Sequence, residues 1–316
     1  KSEPLLQFKR CIAHFCIDND KASMTTRIAG EKTFFLPYNK DIENPPTGGY
    51  KSEYMWREVL EKDSVLDILE NFVHLSKEKE LFFNEKTKSV ETKTNEILIF
   101  PRYHQLELNR KFKRSIVEDG VGNNYLVQHT TGSGKSFSIG WLSHLLTSLY
   151  KNVNDSKRMF DSIIVVTDRT VLDDQLKSTI RSLQRVDGVV NGAENSSELK
   201  DFLEKGKDII ITTIQKFPFI SDTIASLKDK NFAVIIDEVH SSQSGDYSKE
   251  LKKSLTKENE EEDFDYQDYL RENMESRGKQ KNISFFGFSG TPKRKTLEVF
   301  GAKEEKIEGE VKFIPF

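Results

Sequence analysis

No run of about eighteen apolar residues occurs in the chain, so no segment reads as a membrane span. The opening KSEPLLQFKR lacks the apolar core of a signal peptide. Cysteine is scarce: Cys11 and Cys16 are the only two and lie five apart, which is neither a zinc spacing nor a disulfide framework. Both are expected to be free thiols buried in an apolar strand, and a reducing cytoplasm fits them. A dominant charge is missing too. Charged residues make up 31% of the 316, yet the net charge is −3, so there is no global basic footprint for nucleic acid and any such contact is local. Length, by contrast, suffices for a substantial core and more than one average domain.

Chemistry enters at NYLVQHTTGSGKS, residues 124–136, where an apolar strand runs into a glycine-punctuated turn that opens an amphipathic helix. Successive N–H groups of such a turn, here across Thr130, Thr131, Gly132, Ser133 and Gly134, point inward and cradle a triphosphate. Lys135 would reach its β and γ phosphates, and the Ser136 hydroxyl would ligate Mg²⁺ at a helix N-terminus that already favours anions. His129 stands where the strict motif has its first glycine. It either contacts phosphate or caps the turn. A second motif follows at 232–240, FAVIIDEVH, which reads as a buried parallel strand ending in two carboxylates. Asp237 would hold the Mg²⁺ shell and Glu238 would polarise the attacking water. Buried neighbouring carboxylates are costly without a cation or donors, which argues against a purely structural pair. A third apolar strand, ISFFGFSGTP at 283–292, breaks at Ser289, Gly290 and Thr291.

Together with VVTDRTVLDDQL at 165–176, TTIQKF at 212–217 and DEVHSSQSG at 237–245, these segments resemble the motor domain of the restriction (R) subunit of type I restriction-modification enzymes. That family belongs to the superfamily 2 helicase-like translocases. The resemblance spans about 96–292, and remodelling ATPases of the same superfamily usually carry a different phosphate loop. It implies an ATP-dependent translocase and endonuclease subunit with ATP and Mg²⁺ as cofactors. Double-stranded DNA and the methyltransferase (M) and specificity (S) subunits would be its partners. It also assigns roles. Gln105, or more weakly Arg102 or Tyr103, would read adenine, with a solvated helix start as the plain alternative. Arg169, Thr213, Gln215 and Lys216 would track one DNA backbone, a sequence-independent task suited to hydroxyls, amides and a few cations. His240 and Gln243 would couple the ATP site to the DNA site through the Ser289–Thr291 turn, or else form an ordinary surface pair.

The motor is expected to be α/β, a doubly wound parallel sheet of the RecA-like, P-loop kind. Strands fall near 124–128, 161–167, 188–191, 207–213, 232–237 and 283–288. Helices fall near 135–150, 171–184, 196–205, 215–227 and 246–256. Before it, residues 1–50 show period-two strands, which the resemblance makes the trailing edge of an N-terminal nuclease domain. No nuclease Asp and Glu-x-Lys pair can be placed there; Glu198-Leu-Lys200 fits the letters but lies in a helical stretch. Residues 51–95 read as a helical linker, apolar at helical spacing to Leu75 and beyond, then polar and loop-like over 84–96. The segment Lys249 to Lys281 holds six acidic residues between Glu258 and Asp265 and should face away from DNA.

Residues 293–316 would begin the connection to a second RecA-like lobe, whose arginines close the ATP site in such motors. No arginine motif of that type follows Pro292. Loss of an arginine finger costs about three to five orders of magnitude in turnover, so this stretch alone is expected to bind ATP weakly and hydrolyse it poorly. Two other readings remain open: a free-standing superfamily 2 helicase or type III restriction subunit, and a nucleotide-switched DNA-binding scaffold in which Glu238 is dispensable.

Overall fold

The computed structural model describes residues 3–41, 43–84, 88–130, 132–152, 154–167, 170–213, 216, 223–224, 226–238, 281–292, 294–305 and 311–316. The chain divides into two compact units, Lys1–Phe112 and Lys113–Phe316.

In the first unit β1 (His14–Ile17), β2 (Ala22–Thr25) and β3 (Leu36–Pro37) form a small antiparallel sheet in that order. Its core is aromatic. Tyr38, fully buried, meets Phe15, Phe100 and Tyr103 with ring centroids 5.3–6.3 Å apart. The thiols lie outside that core. Cys16 is exposed and Cys11 only half-buried, which corrects the expectation of buried cysteines: Cys16 stands in the exposed half of the edge strand β1, and Cys11 in the chain before it. One π-helical turn, Met55–Val59, precedes α1 (Lys62–Asn71), whose first N–H groups are capped by the Glu61 carboxylate accepting from Asp63 and Ser64.

The helical reading of 51–95 thus holds over 55–71 and fails from His74 on. Strands β4 (His74–Asn84) and β5 (Ser89–Ile99) form a long antiparallel ribbon, paired from His74↔Ile99 to Asn84↔Ser89. Its polar stretch is strand because Val90, Thr92 and Thr94 alternate as β-branched residues and pair with a neighbouring strand, so its backbone is satisfied without an apolar anchor. Helix α2 (Tyr103–Asp119) follows.

The second unit holds a six-stranded, all-parallel sheet of β6 (Asn124–Gln128), β7 (Ser162–Thr167), β8 (Val190–Gly192), β9 (Ile209–Thr213), β10 (Phe232–Ile236) and β11 (Ile283–Ser289). Its order is β6-β11-β10-β7-β9-β8. Every residue of β7, β9 and β10 is buried, as strands covered on both faces require. On one face Ile164, Val166, Ile210, Val234 and Ile236 pack with Leu199 and Leu203 of α5 (Ser196–Lys205). The alternate residues Ile163, Val165, Ile211 and Ile235 are equally buried, and α3 (Lys135–Thr147) and α4 (Thr170–Ser182) pack on β7.

Local chemistry fixes the helix ends. Asn195 caps α5 by accepting from the Glu198 N–H at 2.9 Å, Gly206 ends it at φ 66°, and the Lys230 ammonium donates to the carbonyls of Leu203 and Glu204. Short α6 (Arg294–Phe300) and the hairpin β12 (Ala302–Glu305) with β13 (Val311–Ile314) complete the unit. All six expected strands form within a few residues of their expected bounds, and so do the helices at 135–150, 171–184 and 196–205. The expected helix 246–256, most of that at 215–227 and the acidic segment lie outside the described residues.

Candidate active site

Because all six strands run in one direction, their carboxyl ends share one edge of the sheet, where open α/β sheets bind ligands. The phosphate-loop turn leaves β6 there, Asp237 leaves β10, and Ser289 ends β11. Register holds them together: Gln128 pairs with Ser289, Ile236 with Gly287, and the Asp237 N–H donates to the Val166 carbonyl at 3.0 Å.

The turn itself needs its glycines. Gly132 and Gly134 take φ 79° and 85°, a left-handed backbone that side chains resist. Gly134 is the N-cap of α3 and, having no side chain, leaves the first N–H groups of that helix directed at whatever anion approaches. Lys135 and Ser136 follow as its first two residues. Thr130 and Gly132 are exposed and Ser133 is half-buried, whereas Thr131 lies outside the described residues.

Across from the turn, the Lys135 ammonium sits 3.0 Å from Asp237 Oδ1 and is ion-paired with the Glu238 carboxylate as well. Lys135 and Asp237 are each only 15% exposed, so water screens the pairing little. Glu238 is held at φ 54°, which is uncommon for a residue with a side chain and re-aims its carboxylate as the chain leaves the sheet. The residues fit a divalent cation. One cation already stands between the two carboxylates, and the buried Asp237 Oδ1 is held by charge without hydrogen-bond geometry, the arrangement a metal ion satisfies.

His129, which the sequence leaves undecided, is a turn cap. It is 6% exposed; its Nδ1 lies 2.5 Å from Ser133 Oγ, its Nε2 3.2 Å from Ser138 Oγ, and its N–H donates to the Ser289 carbonyl at 2.8 Å. Ser138 was not singled out by the motif, which ends two residues before it. Ser289 is fully buried, Gly290 half-buried and Thr291 exposed.

The remaining expected residues are spread more widely. Gln105 and Arg102 belong to the first unit, where Gln105 is buried and its Oε1 accepts the Arg102 N–H at 2.9 Å, a capping contact at the start of α2. Thr213 ends β9 and is 8% exposed, while Lys216 donates to the Ala193 carbonyl at 2.8 Å. Arg169, Gln215, His240 and Gln243 lie outside the described residues. No cluster of three or more metal-ligating side chains occurs among the described residues.

The family model for the SWI2/SNF2 ATPase matches residues 104–308. The chain belongs to that family. Relatives of this SWI2/SNF2 ATPase include the endonuclease subunit of the type I restriction enzyme SauCOLORF180P of Staphylococcus aureus, 29% identical over 66% of this chain and 20% of that protein. The endonuclease subunit of the type I enzyme HindI of Haemophilus influenzae is 31% identical over 55% of this chain and 16% of that protein. A chain of Methanocaldococcus jannaschii named for the endonuclease subunit of the type I enzyme MjaVIIIP is 24% identical over 90% of this chain and 26% of its own length. The chain thus spans about a quarter or less of these relatives. The resemblance drawn from the motifs holds. Among solved structures, the Pyrococcus furiosus Hef helicase domain covers 63% of this chain and 35% of its own, with 18% identity and a TM-score of 0.40. A nuclease-deletion mutant of the type ISP restriction-modification enzyme LlaGI covers 59% of this chain and 17% of its own, with 12% identity and a TM-score of 0.36. At such scores neither likeness bears on function. No helix among the described residues is long and apolar enough to cross a membrane.

Proposed function

We propose that this helicase-like ATPase is the first motor lobe of a type I restriction R subunit, hydrolysing Mg²⁺-ATP to move duplex DNA before cleavage. The observation that carries the reading is the Lys135 ammonium set against Asp237 and Glu238 at the mouth of a phosphate-cradling turn. In this reading the turn amides and Lys135 bind the triphosphate, and Ser136 and Asp237 hold Mg²⁺. The metal, when bound, neutralises charge that develops on the transferring phosphoryl group. Lys135 then exchanges its carboxylate partners for phosphate oxygens, and the released Glu238 orients and deprotonates the attacking water. Gln105 and Arg102 are assigned to adenine. Arg169, Thr213, Gln215 and Lys216 are assigned to the DNA backbone, and His240 and Gln243 to coupling with Ser289, Gly290 and Thr291. Residues 1–50 would close the nuclease domain, and the M and S subunits would supply DNA recognition.

The test is phosphate release by the complete gene product with unmethylated DNA, with and without modification and specificity subunits, using Lys135→Ala as the blank. Turnover confined to DNA plus partners is the expected result. Turnover with DNA alone would point to a free-standing helicase, and none under any condition to a scaffold.

A further inference from the structure

We infer that His129 is a positioning residue that holds the phosphate-binding turn in shape through a directional chain of hydrogen bonds. The inference rests on the nucleotide-binding reading of that turn. Proton accounting gives the direction. The Ser133 hydroxyl has one proton and donates it to the Thr130 carbonyl at 2.5 Å. The contact between His129 Nδ1 and Ser133 Oγ, at 2.5 Å, therefore needs its proton from the ring, which makes Nδ1 the protonated nitrogen. In the neutral imidazole Nε2 is then an acceptor, and the buried Ser138 hydroxyl, 3.2 Å away, is its donor. The chain runs Ser138 O–H to Nε2, Nδ1–H to Ser133 Oγ, and Ser133 O–H to the Thr130 carbonyl.

Its placement suits the task. Thr130 and Ser133 bracket the turn whose amides face the phosphates, and Ser138 lies on α3 just past its first turn. The imidazole thus ties the turn to the helix behind it, while the His129 N–H anchors the same residue to the Ser289 carbonyl on the neighbouring strand. A glycine at this position, as in the strict motif, could make only the last of these bonds. Phe288 covers the ring, with centroids 6.3 Å apart, and burial keeps water from competing for its nitrogens.

The experiment measures binding of a fluorescent ATP analogue with Mg²⁺ by the wild-type chain and by His129→Ala, His129→Asn, Ser138→Ala and Lys135→Ala, with ¹⁵N NMR of the His129 ring. The expected result is about tenfold weaker binding for His129→Ala, roughly what one or two net hydrogen bonds supply. His129→Asn should recover part of it, because its amide can still donate to Ser133, and Ser138→Ala should weaken binding less. The wild-type ring should show the proton on Nδ1, a signature that mere bulk would not produce. Wild-type-like binding by His129→Ala alongside lost binding by Lys135→Ala would overturn the inference and leave the nucleotide reading intact. Unchanged binding by Lys135→Ala would overturn both. If His129→Ala does not fold, the ring proton on Nε2 or the absence of any recovery by His129→Asn would still reject the proposal.

Discussion

The parallel sheet and the β4–β5 ribbon are both made of strands, yet they handle polar groups in opposite ways. Strands β7, β9 and β10 are buried along their whole length, so every polar side chain they carry is confined to residues near a strand end. No carboxylate lies within them. Asp161 and Asp208 stand just before β7 and β9, where Asp161 accepts the Asn231 N–H and Asp208 pairs with Arg158, and Asp237 and Glu238 stand where the chain leaves β10. The ribbon, HLSKEKELFFN paired with SVETKTNEILI, carries charge along its length, and Phe83 and Val90 near its tip are 62% and 65% exposed. Full burial pushes charged groups out to the strand ends, because an unpaired charge within the strand would be too costly. An exposed ribbon has no such constraint and gathers its charges nowhere in particular.

Substitutions should therefore differ sharply between the two regions. Glu238→Gln should cut DNA-stimulated ATP turnover by about two to four orders of magnitude while nucleotide binding persists, as measured by phosphate release and analogue binding. Retained turnover would move the water-activating role elsewhere. Phe286→Ala, which removes a fully buried ring stacked on Tyr125 at 5.2 Å, should cost about 3–5 kcal/mol in a denaturant titration. A loss below about 1 kcal/mol would mean that the sheet collapses around the cavity.

Smaller is the effect of alkali. Burial first, and then the Asp119 carboxylate, push the Tyr125 hydroxyl from an ordinary 10.0 up to about 12. The folded state holds that proton more tightly than the unfolded chain. The stability linked to it is therefore complete below about pH 10 and drains away as pH rises through 12. Phenolate absorbance, compared between the wild type and Tyr125→Phe, should show Tyr125 titrating well above an ordinary tyrosine. Last, Phe83→Ser in the ribbon should change stability by no more than about 0.5 kcal/mol and leave ATP turnover alone. A drop in turnover there would end the contrast between the two regions.

The same contrast explains what could be read in advance. Runs such as SIIVVT and FAVII declare buried parallel strands because they are short, apolar and rich in β-branched residues, and the glycines of the turn declare its backbone. The ribbon escapes such a reading because its first strand continues from a stretch with helical apolar spacing and its second, polar up to residue 96, reads as a loop. The alternation of Val90, Thr92 and Thr94 was the clue that burial hides. His129 was visible but undecidable, since its role depends on Ser138 and Ser133 standing on either side of one ring, a spacing set by the fold and not by the motif. Gln105 shows the converse: its type suits adenine, while its oxygen already serves the helix start.

Glu238 deserves a different kind of scrutiny from an engineer. A left-handed backbone costs a residue with a side chain about 1–2 kcal/mol and costs glycine almost nothing. Glu238→Gly should thus relieve the backbone while taking one carboxylate partner from Lys135, so that melting changes little while ATP turnover is lost. A selection for heat resistance alone would pass that exchange, and a library screened only on melting temperature would not register the loss.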